Sequence, residues 1–203
     1  MRNPILVLLV FLAISQPLSA KESPKVLVLG DSLSAAFGIE RKQGWVHLLQ
    51  QHLNNNGHRY RVVNASVSGD TTRGGLARLP HALKEHQPEI VIIALGGNDG
   101  LRGFSLNEVR TNLDKMIRLA KGANAKVMLC GVQVPPNLGA TYVEKFLQVY
   151  RDTSKTHNIP LVNYILKDVS SHSKLMQRDG IHPTAKAQTI ILNNVLQGLA
   201  ALL

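Results

Sequence analysis

The amino-acid sequence predicts an α/β domain, an open parallel sheet of five strands with helices on both faces, in three layers. Two observations carry this. From Lys25 onward, apolar runs of strand length alternate with longer stretches of helical period, the pattern of a parallel sheet covered on both sides. The third and fourth runs are nearly unbroken aliphatics, as strands buried on both faces require. No internal repeat or low-complexity tract interrupts the alternation, so one domain accounts for it.

Residues 1–20 stand apart. Arg2 is followed by an apolar run over 5–14 and by the small-residue stretch Leu18-Ser19-Ala20, which is the layout of a secretory signal peptide. Ser15, Gln16 and Pro17 end the run well short of the about 20 apolar residues of a membrane-spanning helix. Cleavage after Ala20 is therefore expected, with an uncleaved anchor as the rival reading. Residues 21–203 then form one periplasmic or secreted domain, long enough to bury a substantial core.

The strands fall at residues 26–29, 61–64, 90–95, 127–132 and a short 161–162. Between the first two, Trp45, Val46, Leu48, Leu49 and Leu53 repeat on one helical face. The segment 72–86 is helical, but Pro80 lies inside it and predicts a kink or a split. Ser105 with Glu108 three residues on is a capping-box signature, opening a helix whose buried face carries Leu113, Met116, Ile117 and Ala120. Thr184 opens a last helix carrying Ile190, Ile191, Val195 and Leu199.

Lysine and arginine total 23 against 13 acids. The positive charges are spread singly, and few aromatics lie between them for base stacking, so a nucleic-acid partner is not expected. Transient contact with membrane lipid stays open. The one cysteine, Cys130, sits in an apolar run and reads as a small buried hydrophobe. A small covered sheet needs no partner chain, which makes a monomer the default.

In open parallel sheets, active sites gather at the carboxyl ends of the strands. Ser32, in Gly30-Asp31-Ser32-Leu33-Ser34, follows the first strand. It is not the Gly-x-Ser-x-Gly elbow, since Ser34 stands where the second glycine would be, and alone it reads equally as a turn or cap residue. Near the C-terminus, Asp179-Gly180-Ile181-His182-Pro183 puts an acid and an imidazole on one turn. A serine hydroxyl needs a neighbouring base, and that base needs an orienting hydrogen bond; the turn supplies both. Ser68-Gly69-Asp70 and Gly96-Gly97-Asn98-Asp99 offer a close-approaching N–H and a side-chain amide, donors suited to the oxyanion of acyl transfer.

The four segments together, with Val63-Asn64-Ala65-Ser66, the stretch from Gly74 to Pro80 and the block from Leu95 to Phe104, resemble the GDSL or SGNH hydrolase family over nearly all of the mature chain. Within it, the chain is most similar to bacterial periplasmic enzymes acting on thioesters, aryl esters and lysophospholipids. The resemblance implies a flavodoxin-like sheet, a triad of Ser32, Asp179 and His182 that needs no metal and no cofactor, and an oxyanion hole from Ser32, Gly69 and Asn98. The substrate is then an acyl ester, thioester or lysophospholipid. Leu101, Val134, Leu138 and Ile181, on loops beside the site, are the candidates for holding the acyl chain, while Phe104 reads as a loop anchor. The stretch 37–43 looks variable for the family, which leaves substrate choice open.

Three other readings compete. Asp31, Asp70, Asp99, Asp179 and His182 converging on a metal would make a phosphoesterase. A carbohydrate O-acetylesterase would use the same constellation on short acyl groups. A non-catalytic flavodoxin-like binding module would hydrolyse nothing. The seven other histidines, among them His47 and His157, read as surface or packing residues.

Overall fold

A computed structural model describes residues 22–203. The expected leader, residues 1–20, lies outside the described residues. Five parallel strands, β1 (Lys25–Gly30), β2 (Arg61–Asn64), β3 (Ile90–Ala94), β4 (Lys126–Cys130) and β5 (Leu161–Val162), form one sheet in the order β2-β1-β3-β4-β5. That is the flavodoxin-like order. Six helices accompany them: α1 (Trp45–Asn55), α2 (Thr72–His86), α3 (Gly97–Leu101), α4 (Leu106–Gly122), α5 (Ala140–His157) and α6 (Gln188–Leu199).

Successive side chains of a strand point to opposite faces, so β1 feeds two cores at once. Val26 and Val28 join Trp45, Leu49, Ile191 and Val195 under α1 and α6. Leu27 and Leu29 join Leu79, Leu113, Met116 and Phe146 under α2, α4 and α5. All four residues from Ile90 to Ile93 are fully buried in the centre of the sheet, which is why that run contains no polar residue. The edge strand β2 is partly exposed and correspondingly reads Arg-Val-Val-Asn.

Several local expectations change. The third and fourth strands end at Ala94 and Cys130 rather than at 95 and 132, because the chain there leaves the ladder to build the site. The helix over Thr72–His86 runs unsplit through Pro80. Pro80 is exposed, so the carbonyl that loses its N–H partner can be solvated, while buried Leu79, Ala82 and Leu83 hold the helix on both sides of it. Ser105 caps α4 by accepting the Glu108 N–H at 3.1 Å, but the Glu108 carboxylate turns away to Arg73, so only half of the box forms. Thr184 precedes a 3-10 turn (Ala185–Ala187) leading into α6, and its hydroxyl donates to the Leu175 carbonyl instead of capping. Cys130 is buried, and that burial pushes its thiol up to about 12.

Candidate active site

Each strand delivers its residue at the carboxyl end. β1 stops at Gly30, where an added Cβ would meet Ser34 and Ser66 side chains at under 3 Å, so only glycine lets the chain turn here. The turn is closed by the N–H groups of Ser34 and Ala35 on the Asp31 carbonyl and by the Phe37 N–H on the Ser32 carbonyl. Ala36 takes a φ of +62° within it. The turn leaves the Ser32 hydroxyl at the mouth of the sheet.

Opposite stands the loop before α6. His182 Nε2 lies 2.9 Å from Ser32 Oγ, and His182 Nδ1 lies 2.7 Å from Asp179 Oδ2. The other oxygen of Asp179 accepts the N–H groups of Ile181 (2.9 Å) and His182 (3.0 Å). The backbone bond from His182, then its ring, then the Ile181 N–H hold this carboxyl down at about 2. An ionised carboxylate only accepts, so Nδ1 carries the proton and Nε2 is left to accept from the Ser32 hydroxyl. The tautomer follows from the acid.

Gln177 ties the two turns together. Its amide donates to the carbonyls of Phe37 (2.8 Å) and Pro183 (3.0 Å), and its N–H donates to the His182 carbonyl at 2.7 Å. Gly38, at φ +73°, is needed for this, because a Cβ there would meet the Gln177 side-chain oxygen at 2.3 Å. The Phe37 ring in turn lies against the His182 ring, centroids 4.4 Å apart. Neither Gln177 nor Phe37 stands out in the sequence; an aromatic five residues past the serine was the only available signal.

The third component is α3, which follows Gly96 at φ +123°. Asn98 Nδ2 donates to the Asp70 carbonyl at 2.9 Å and lies 3.5 Å from Asp31 Oδ2. Arg102 donates to the Gly69 carbonyl at 2.9 Å. Both carbonyls of the Gly69-Asp70 turn are thus held, one from α3 and one from the residue just after it, with Gly69 at φ +79°. Among the described residues, the N–H groups of Ser32 and Gly69 meet no protein acceptor.

The other acids have partners of their own. Asp99 is fully buried and accepts from both the N–H and hydroxyl of Thr72; Asp70 is paired with Arg78 at 2.7 Å. Arg78 also donates to the carbonyls of Ala65 and Gly30, fastening the turn after β2 to the end of β1. Asp31 is 2 % exposed, and burial raises its carboxyl to about 6. Among the described residues, no three His, Cys, Asp or Glu side chains are grouped to hold a metal ion. His157, expected at the surface or in packing, is nearly buried and pairs with Asp114 at 2.7 Å.

A cleft of about 410 Å³ opens beside Ser32 and His182. Leu101, Val134 and Ile181 line it as expected, and Val132, Tyr164 and Met176, which sequence reasoning missed, line it too. Leu138 does not. It sits on a 3-10 turn (Pro136–Leu138) and is 42 % exposed, just past Val134 and Pro135, which do line the cleft. Phe104 stays outside the lining, under the Arg73 guanidinium.

Residues 28–190 match the model of the GDSL-like lipase/acylhydrolase family. The chain belongs to that family. As a member it is a hydrolase of acyl esters, the reaction class that the sequence predicts. It is 49 % identical over 178 residues to the esterase TesA of Pseudomonas aeruginosa, covering 88 % of this chain and 89 % of that one. It is 41 % identical over 172 residues to thioesterase 1/protease 1/lysophospholipase L1 of Escherichia coli, covering 85 % and 81 %. A crystal structure of TesA superposes with a TM-score of 0.87 at 49 % identity, covering 88 % of this chain and 99 % of that one. The sheet order above is therefore that of the SGNH hydrolase fold.

Proposed function

We propose that this GDSL-family hydrolase cleaves acyl esters and thioesters, lysophospholipids included, with Ser32 as nucleophile, His182 as base and Asp179 as the orienting acid. The observation that carries it is the unbroken chain Ser32 Oγ, His182 Nε2, His182 Nδ1, Asp179 Oδ2, with links of 2.9 and 2.7 Å. Ser32 Oγ attacks the acyl carbonyl while His182 takes its proton. The same imidazolium then protonates the leaving alcohol or thiol, and the imidazole activates water to release the acid. Asp179, already ionised, stabilises the imidazolium without taking the proton.

The carbonyl oxygen turns negative in this step. The unpaired N–H groups of Ser32 and Gly69 and the Asn98 amide are the donors for it, each worth roughly 100- to 1000-fold in rate. The apolar lining from Val132 to Ile181 supports a hydrocarbon acyl chain over the acetyl groups of a polysaccharide. The similarity to a thioesterase and lysophospholipase supports thioesters and lysophospholipids as substrates.

Ser32→Ala should bring kcat on p-nitrophenyl esters near background with unchanged circular dichroism. A variant that keeps comparable kcat overturns the mechanism. The leader of residues 1–20 supports export to the periplasm or beyond, away from cytosolic acyl-CoA; a mature N-terminus at Lys21 in protein recovered from the producing cell is the check.

A further inference from the structure

Six large apolar side chains are conspicuously exposed among the described residues: Phe37, Val67, Leu101, Leu119, Leu138 and Ile181, at 40–51 %. Single exposed apolar residues are ordinary, but their distribution here is not. Phe37 follows β1, Val67 follows β2, Leu101 follows β3, Leu138 follows β4 and Ile181 follows β5. Each of the five segments leaving the carboxyl ends of the strands holds one, although those segments make up only about a third of the described chain. Leu119, on α4, is the one that stands elsewhere.

The apolar surface continues inward. Leu101 and Ile181 line the cleft beside Ser32, and Phe37 touches the His182 ring. Charge on the same segments is positive on balance at the surface. Arg41, Arg102, Lys167, Lys174, Arg178 and Lys186 are exposed, whereas Asp31 and Asp99 are buried, Asp70 is taken by Arg78, Asp179 by His182 and Glu40 by Lys42. Asp168 is the exposed acid that stands among them.

We propose that these five loop tips form a docking face for an anionic phospholipid bilayer, holding the cleft mouth against the lipid from which the acyl substrate is drawn. Apolar tips entering the interface while neighbouring cations meet anionic headgroups is how peripheral proteins hold a membrane without spanning it. Among the described residues, no helix is long and apolar enough to cross one. Separate tips on five loops with cations between them fit a deformable lipid surface better than the flat apolar core of a protein interface. The purpose of the docking rests on the acyl-hydrolase reading, but binding itself is measured without turnover.

The test uses the Ser32→Ala protein in co-sedimentation with unilamellar vesicles. Vesicles of phosphatidylcholine with equal phosphatidylglycerol should bind it roughly tenfold better than phosphatidylcholine alone, and the gain should vanish near 1 M salt, where the Debye length is about 3 Å. Val67→Asp with Leu138→Asp, both outside the cleft lining, should weaken binding to the anionic vesicles roughly tenfold. Placed in the otherwise unaltered enzyme, the same pair should leave kcat/KM on a water-soluble short-chain ester unchanged. Leu119→Asp should alter neither quantity.

Equal binding to both vesicle types overturns the proposal, as does a double variant that binds like its parent or a Leu119→Asp protein that loses as much. A dimer in gel filtration that the double variant dissolves overturns it too, and gives the face to a second copy. Failure of the hydrolytic reading shows separately, as turnover that survives Ser32→Ala.

Discussion

The Phe37 ring lies against the His182 imidazole, with centroids 4.4 Å apart and planes inclined by 36°. An aromatic face attracts a cation, and in the proposed mechanism His182 is a cation while it holds the proton of Ser32. The ring also limits how far the imidazole can swing from its partners at 2.9 and 2.7 Å. Aromatic pairs of this kind are worth about 0.5–1.5 kcal/mol beyond area burial. Phe37→Leu should therefore lower kcat roughly two- to tenfold with little change in KM on a short-chain ester, and Phe37→Tyr should restore it. An unchanged kcat in Phe37→Leu would reduce the ring to surface filling.

The sheet was legible in the sequence because a doubly covered strand leaves no room for polar residues, and the run from Ile90 to Ile93 obeys that at full burial. Ser32 and His182 were legible for a different reason: each segment alone reads as an ordinary turn, and only the four segments taken together point to one site. Gln177 was not, since its hydrogen bonds reach to Phe37, 140 positions away, and one polar residue on a loop carries no trace of a distant carbonyl. The cleft lining was half legible. Leu101 and Ile181 sit beside residues that mark the site, whereas Tyr164 and Met176 enter it only through the path of the loop after β5, and periodicity does not describe a loop. Leu138 stays out of the lining, since nearness in sequence to Val134 does not decide which side a 3-10 turn presents.

Asp31 predicts a pH dependence of stability. Burial raises its carboxyl from 3.8 to about 6, so between these values the native state binds more protons than the unfolded chain. Stability from this group is full below 3.8 and declines as pH rises to 6, by about 3 kcal/mol as an upper figure. Asp31→Asn keeps an oxygen to accept the Leu33 N–H, now at 3.0 Å, and cannot ionise. It should melt several degrees above the parent at pH 8 and close to it at pH 4. Equal melting differences at both pH values would show that the buried carboxyl does not titrate as described.

Gly96 fixes the start of α3 and hence the reach of Asn98. Its φ is +123°, and a Cβ there would meet the Tyr150 hydroxyl oxygen at 2.0 Å. That hydroxyl is buried and donates to the Leu95 carbonyl at 2.7 Å, so it has nowhere to retreat. Gly96→Ala combines backbone strain of about 1–3 kcal/mol with the loss of that bond, about 1–3 kcal/mol for a carbonyl left unpaired. Urea unfolding should show a loss of at least about 2 kcal/mol along with a fall in kcat. Tyr150→Phe, which removes only the bond, should lose less stability and keep most of the activity. A Gly96→Ala protein as stable as its parent would mean that the turn can re-form without a left-handed residue.

The cleft lining predicts how acyl chain length is read. Leu101 and Ile181 line the cleft while remaining 46 % and 40 % exposed, so an acyl chain laid along them covers apolar surface that water now wets. Each methylene buried is worth about 0.8 kcal/mol, and truncating one of these partly exposed side chains removes a contact of about that size. Leu101→Ala and Ile181→Ala should each raise KM for an octanoyl ester roughly three- to fivefold while leaving KM for the acetyl ester unchanged, since a two-carbon acyl group ends before reaching them. Leu138→Ala, outside the lining, should shift neither. If Leu138→Ala instead raised the octanoyl KM and Leu101→Ala did not, the acyl chain would run past the 3-10 turn after β4, and the cleft beside Ser32 would not be its seat.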